Sequence, residues 1–212
     1  MKLLPILYGR STLSEHHVFE NGSRDVRVPI DFIVYYLEAD GRRILIDAGC
    51  DTMPKFDMVD FIGPVAALNA HGIDARDITD LIVTHAHHDH IEGVKHFTNA
   101  TVYLQKDEYE KGKKYIPEGF PVVLFEEGLD LCTGVKIVTV GGHSRGSSVV
   151  EIQDGAKTLV VCGDECYSPR CLEERIPTGS SVCPEKSLQF IEKYRASEYV
   201  TLLCHQMPSS KS

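Results

Sequence analysis

One stretch restricts this chain more than any other: Leu81-Ile82-Val83-Thr84-His85-Ala86-His87-His88-Asp89-His90. Leu81 to Val83 is an apolar run of strand length, too short for a buried helix. His85, His87, Asp89 and His90 follow at once. In an extended segment alternate side chains share a face, so His85 and His87 project the same way. A turn into helix near Asp89 swings Asp89 and His90 to a neighbouring direction. Imidazole nitrogen and carboxylate oxygen are the donors that zinc and other borderline divalent cations take. The plain alternative is a solvated histidine loop. Such a loop has no reason to lie hard against the end of an apolar strand, where polar groups usually mark a site. The spacing therefore predicts a metal cradle with two compartments.

The same event recurs along the chain. Gly134 to Val140 reads as a strand and ends in Gly141-Gly142-His143. Thr158 to Cys162 ends in Gly163-Asp164, and Tyr199 to Leu203 ends in Cys204-His205. Each taken singly is weak evidence. Strand ends of one sheet share a rim, so together they predict one site built from distant segments.

The remaining elements fill in around this rim. Leu3 to Leu7 reads as a first edge strand, and Arg10 to Arg27 as an irregular polar stretch carrying His16 and His17, a solvated pair that could line the mouth of a site. Asp31 to Leu37 and Arg43 to Asp47 form a hairpin around Ala39-Asp40-Gly41. Asp47 follows the second of these strands, where it either braces a metal ligand or caps the next turn. Phe61 to Asn69 is expected to be helical, with His71 at its C-terminal turn; His96 is read as structural. Thr101 to Leu104 and Val122 to Phe125 are strands, and Lys106 to about Lys113 a helix. Ser147 to Ile152 pairs with Thr158 to Cys162 across Gln153-Asp154-Gly155. Pro184 opens a helix whose buried face is predicted to hold Leu188, Ile191 and Tyr194.

With 212 residues and no linker or repeat, a single domain over 1–212 is expected, large enough for a core without staples. The net charge of −9 opposes a nucleic-acid surface. Seven cysteines without a repeating spacing read as reduced thiols of a cytoplasmic protein. The apolar stretch at the N-terminus is too short for a signal peptide, and no run is long enough to span a membrane.

The ordered ligands His85-x-His87-x-Asp89-His90, His143, Asp164 and His205 resemble those of the metallo-β-lactamase-fold hydrolases, over nearly the whole chain. That resemblance implies an α/β (α+β) architecture, an αββα four-layer sandwich of two mixed sheets flanked by helices, with a dinuclear site at one rim. It assigns His85, His87 and His143 to a first metal and Asp89, His90 and His205 to a second. Asp164 would bridge both, and His88 falls at the variable position. The ions are most simply two Zn2+; iron, manganese or cobalt suit the same donors. Within the superfamily the strand end Ile44-Leu45-Ile46-Asp47-Ala48-Gly49, Thr84-His85-Ala86-His87-His88-Asp89-His90 and Gly163-Asp164-x-x-Tyr167 are similar to the N-acyl-homoserine lactonases. There the tyrosine faces the substrate carbonyl, which nominates Tyr167 as a catalytic residue. Two departures stand out: Asp51 to Ile78 is shorter than the lactonases' corresponding region, and the last histidine lies in Cys-His-Gln-Met-Pro rather than Gly-His-Asp.

The reaction so implied is attack by a metal-bridged hydroxide on the carbonyl of a small ester or lactone. Tyr167 would stabilise the oxyanion and Asp89 shuttle the proton. The alternatives are a thioesterase of glyoxalase II type and a binding module that keeps metal without turnover.

Overall fold

The computed structural model describes residues 1–208. In chain order its elements are β1 (Lys2–Ser14), α1 (Glu15–Val18), β2 (Arg27–Ala39), β3 (Arg42–Ile46), α2 (Pro64–Ala70), β4 (Asp80–Val83), α3 (His88–Ile91), β5 (Thr101–Gln105) and α4 (Lys106–Gly112). There follow β6 (Val122–Phe125), β7 (Gly128–Cys132), β8 (Val135–Thr139), β9 (Ser148–Asp154), β10 (Lys157–Val161), α5 (Pro169–Glu174), α6 (Pro184–Tyr194) and β11 (Tyr199–Leu202).

Two mixed sheets result. The first is six-stranded in the order β1-β2-β3-β4-β5-β6, antiparallel at the β1 end and parallel from β3 to β6. The second is five-stranded, β11-β10-β9-β8-β7, with β10 and β11 parallel and the rest antiparallel. β4 reads Asp-Leu-Ile-Val without alternation because both its faces are covered, as a central parallel strand requires. Between the sheets lie Tyr35, Leu37, Ile44, Ile46 and Ile82 from one side and Ile137, Val150, Ile152 and Val161 from the other. Burial of each such side chain stabilises by about 1.5–3 kcal/mol, enough in sum to hold a rim crowded with polar groups. Outside the first sheet Leu68 of α2 and Ile91 of α3 pack on Leu81 and Val83. Outside the second, Leu172 of α5 and Phe190 and Ile191 of α6 pack on Val149 and Val160. The αββα layering follows.

The β2–β3 hairpin turns on Asp40 and Gly41, at φ 52° and 74°, the pair of positive values a two-residue I′ turn demands. Several boundaries differ from the sequence expectation. Periodicity predicts a loop from Arg10, but β1 continues to Ser14, because after a bulge at Tyr8 pairing with β2 resumes through Leu13–Val28 and Ser14–Arg27. The helix expected from Phe61 starts at Pro64, which takes the first helical position. The second hairpin turns one residue later than expected, since Asp154 still pairs with Lys157. In α6 the buried residues are Ser187, Phe190, Ile191 and Tyr194; Leu188 is 40% exposed and belongs to the outer face. Strand β7 gives little signal in sequence: it is an edge strand whose residues are half-buried or exposed apart from Leu131.

β8 and β10 both run antiparallel to β9, so their carboxyl ends share an edge with that of β11. The two sheets are stitched together there. Ser148 N donates to Thr84 O at 2.9 Å, while Asp31 N and Ile33 N of β2 donate to His205 O and Cys204 O at 3.0 and 3.1 Å.

Candidate metal centre and active site

Seven side chains meet at this rim. His85 and His87 follow β4, Asp89 and His90 lie on α3, and His143, Asp164 and His205 follow β8, β10 and β11. Potential ligand atoms of His85, His87, His143 and Asp164 all lie within 4.8 Å of one another, and so do those of Asp89, His90 and His205. Asp164 joins the groups: its Oδ2 is 3.7 Å from His85 Nε2 and 3.4 Å from His143 Nε2, while its Oδ1 is 3.0 Å from both His90 Nε2 and His205 Nε2. The sequence-predicted set is therefore brought together whole. His88 stands apart, its Nε2 donating to Thr52 O at 2.7 Å and its Nδ1 beside the Tyr115 hydroxyl. His96 pairs with Asp51 at 2.8 Å and is also remote.

The remote ring nitrogens of His90 and His205 are anchored, which turns their other nitrogens inward. His205 Nδ1 lies 2.9 Å from the carbonyl of Asp31, an acceptor only, so Nδ1 carries the proton and Nε2 faces the site. His90 Nδ1 lies 2.7 Å from Asp47 Oδ2. Asp47 is itself fixed by Thr84, whose N–H and hydroxyl donate to its two oxygens at 2.8 and 3.0 Å. Asp47 is thus a brace on His90 rather than a turn cap, as outer partners that orient metal-competent histidines are.

The donors fit a pair of cations. His87 Nδ1 lies 2.9 Å from both His85 Nε2 and His143 Nε2, and a nitrogen bearing at most one proton cannot donate to both. His90 Nε2 is buried without a hydrogen-bond partner although Asp164 Oδ1 and Asp89 Oδ2 lie 3.0 and 3.5 Å away. Convergent lone pairs and an orphaned imidazole nitrogen are what a bound cation resolves.

Electrostatics divide the histidines. Burial, with neighbouring imidazoles, pushes His85 well below its ordinary value, and burial pushes His143 down to about 4. Both are thereby held neutral, the form in which an imidazole can ligate a cation. Burial is the largest influence on His90 and His205 and opposes their charge, but Asp164 together with Asp47 and Asp89 beside His90, and with Asp89 beside His205, outweighs it, and both are raised. Asp164 is held well below the carboxylate range against its burial by four surrounding imidazoles. A raised folded value means protons bound near neutrality that a metal must displace. Metal uptake is therefore expected to release protons, and affinity to weaken as pH falls, beginning above the ordinary imidazole value of 6.5. Titration calorimetry in buffers of different ionisation enthalpy reads both; uptake without proton release would contradict the assignment.

Two buried glutamates lock the loops, and nothing in the sequence marks them apart from one being next to Asp164. Glu165 accepts from Gly142 N, His143 N and Ser147 Oγ at 3.1, 3.0 and 2.5 Å. Glu108 of α4 accepts from Ala86 N at 3.0 Å and from Ser144 Oγ and Gly146 N at 2.8 and 2.9 Å, tying the His85–His87 segment to the His143 loop.

Above the clusters lies a cavity of about 240 Å³. Leu13, Ile30, Phe32, Met53 and Phe56 give it an apolar wall; His87, Asp89, His143, Asp164 and His205 line it too. Tyr167 also lines it, its ring stacked on His205 at 4.8 Å and 10° and its hydroxyl donating to Asp164 Oδ2 at 2.5 Å. Burial, then Asp164, raises the phenol well above its ordinary value, so it remains a donor. His17 and Ser180 complete the lining. His17 sits on α1, a helical turn where a loop is expected from sequence, and Ser180 has no sequence signal. A larger, open depression of about 640 Å³ around Asp40, Arg42 and Thr133 is remote from these ligands.

A two-sheet sandwich with joined His/Asp clusters on one rim is the scaffold of a metallo-hydrolase. The sequence matches the metallo-beta-lactamase superfamily over residues 34–202, and the chain belongs to that superfamily. It is 26% identical over 188 residues to the N-acyl homoserine lactonase AiiA of Bacillus thuringiensis subsp. kurstaki, covering 76% of this chain and 74% of that protein. It is 30% identical over 145 residues to a probable metallo-hydrolase of Methanocaldococcus jannaschii, covering 68% and 64%. In fold it is similar to an N-acyl homoserine lactone hydrolase whose structure holds N-hexanoyl-L-homoserine at the catalytic metal centre, with TM-score 0.81, 22% identity and coverage of 96% and 92%. Among the described residues no helix is long and apolar enough to cross a membrane.

Proposed function

We propose that this chain, acting as one domain over residues 1–212, hydrolyses the ester bond of a small lactone or acyl ester. His85, His87 and His143 would hold one divalent cation and Asp89, His90 and His205 a second, with Asp164 shared; Zn2+ is the ion that this donor set suits best. The observation that carries this reading is the joining of both clusters through Asp164 beneath a cavity that also contains Tyr167. When bound, the cations supply Lewis acidity and acidify water.

The remaining work falls to the chain. The apolar wall seats the organic part of the substrate and excludes bulk water from the carbonyl. The Tyr167 hydroxyl, on a ring fixed by His205, donates to the carbonyl oxygen as negative charge develops on it. Asp89, half-buried at the cavity edge, takes the proton from the attacking water and returns it to the leaving alkoxide. An ester suits this arrangement better than an amide, whose nitrogen needs protonation before it leaves. The test is a hydrolysis screen of lactones, acyl esters and glutathione thioesters with protein of measured metal content. Lactone or ester turnover in proportion to metal is expected; turnover of thioesters alone, or of nothing, overturns the reading.

A further inference from the structure

The short helix α3, which carries Asp89 and His90, does not satisfy its own carbonyl groups. In a continuing α-helix Gly93 N would donate to Asp89 O. Gly93 N donates instead to Gly49 O at 2.8 Å, and Ala48 N donates to His90 O at 2.8 Å. Only a residue without a Cβ allows this approach, since a Cβ on Gly93 would lie 2.3 Å from Ala48 O. The carbonyl of Asp89 thereby loses its helical donor. A replacement comes from the start of the chain: the Tyr8 hydroxyl donates to Asp89 O at 2.9 Å.

Tyr8 is placed for that reach by the bulge in β1. Leu7 pairs with Ile33 and Gly9 with Phe32, which leaves Tyr8 opposite no residue of β2. Bulges re-aim a side chain and recur beside active sites. The buried ring packs against Phe32 and Phe61 at centroid distances of 5.9 and 6.1 Å, and Tyr8 O accepts from Ile62 N at 3.0 Å. The hydroxyl has one other neighbour, the Cys50 thiol at 4.0 Å.

The two ligand groups have different supports. Glu108 and Glu165 hold the segments that carry His85, His87 and His143. Asp47 serves both groups, through Thr84 N beside His85 and through His90 Nδ1. The Tyr8 hydrogen bond reaches only the Asp89, His90 and His205 group, in which Asp89 Oδ2 lies 3.5 Å from His90 Nε2 and 3.7 Å from His205 Nε2.

Resting on the two-cation reading above, we infer that Tyr8 is a positioning residue for the second cation. Through the carbonyl of Asp89 it fixes α3 against the rim, and with it the convergence of Asp89 and His90 on His205. The first cation does not depend on it.

The test titrates Zn2+ into metal-free protein and follows the nitrogen resonances of the imidazole rings, which report the two groups separately. Tyr8→Phe keeps the ring, and circular dichroism checks its fold. Its midpoint for His90 and His205 is expected at about ten-fold higher free Zn2+ than in wild type, while that for His85 and His143 stays within about two-fold. Tyr103→Phe is the control: it removes another buried tyrosine hydrogen bond, 2.9 Å to Asp80 at the opposite end of β4, and should move neither midpoint. An unmoved His90 and His205 midpoint in Tyr8→Phe, an equal shift of both groups, or the same shift in Tyr103→Phe overturns the inference. If wild type binds fewer than two ions, the two-cation reading fails separately, and the His90 ring resonances of the metal-free proteins decide this one. Their displacement in Tyr8→Phe alone supports it; no displacement, or the same displacement in Tyr103→Phe, overturns it.

Discussion

Asp164→Ala is expected to lose bound metal and hydrolysis together, with kcat/KM falling at least about 10³-fold, beyond the 10–100-fold typical of losing an outer-shell partner. The reason is the position of this one carboxylate. Its two oxygens face His85 and His143 on one side and His90 and His205 on the other. Removing it deprives both proposed ions of a ligand and leaves four buried imidazoles without their common counter-charge. His90 and His205 then lose the main influence that raises them, so the metal-free variant meets its burial cost by keeping them neutral. The variant should therefore fold. Metal analysis, circular dichroism and turnover on one preparation check the whole statement. Full metal content with retained activity would remove Asp164 from the centre.

Tyr167→Phe should separate chemistry from metal binding. The ring is held flat on His205, and phenylalanine can keep that stack. Only the hydroxyl goes, and with it the donor proposed to meet the developing oxyanion. Loss of one such donor costs about 10²–10³ in kcat. Metal content should remain at the wild-type level, and KM should move far less than kcat, because the interaction is made in the transition state. Asp164 Oδ2 loses a 2.5 Å hydrogen bond in the same change, but it retains its histidine neighbours. Unchanged lactone turnover in this variant would assign Tyr167 a packing role instead.

What the sequence discloses follows from how far each signal extends along the chain. The His85 to His90 cluster is legible because its spacing is local and its donors chemically distinctive. His143, Asp164 and His205 become legible through a shared context, an apolar strand that stops just before each of them. The two sheets are legible for the same reason: buried strands such as β4 and β10 are short apolar runs. Glu108 and Glu165 were not legible. Their importance lies in accepting hydrogen bonds from segments as far away as Ala86 and Ser147, and a glutamate in a helix or after an aspartate looks ordinary. β7 has only Leu131 fully buried, and its pairing with β8 decides its state. Leu188 lies outward, against the periodicity, because Ser187, a small polar residue, takes the inward position beside Glu165 and Gly142, turning the buried stripe of α6 by one residue.

The stitching of His205 and Cys204 to β2 has a consequence for how the protein is made. From His85 to His205 there are 120 residues, which a ribosome adds in roughly 6–24 s at 5–20 residues per second. Throughout that interval the nascent chain displays most of its imidazoles without the strand that closes the centre. The Asp89, His90 and His205 group is therefore complete only once β11 has docked beside β10 and its continuation has reached β2.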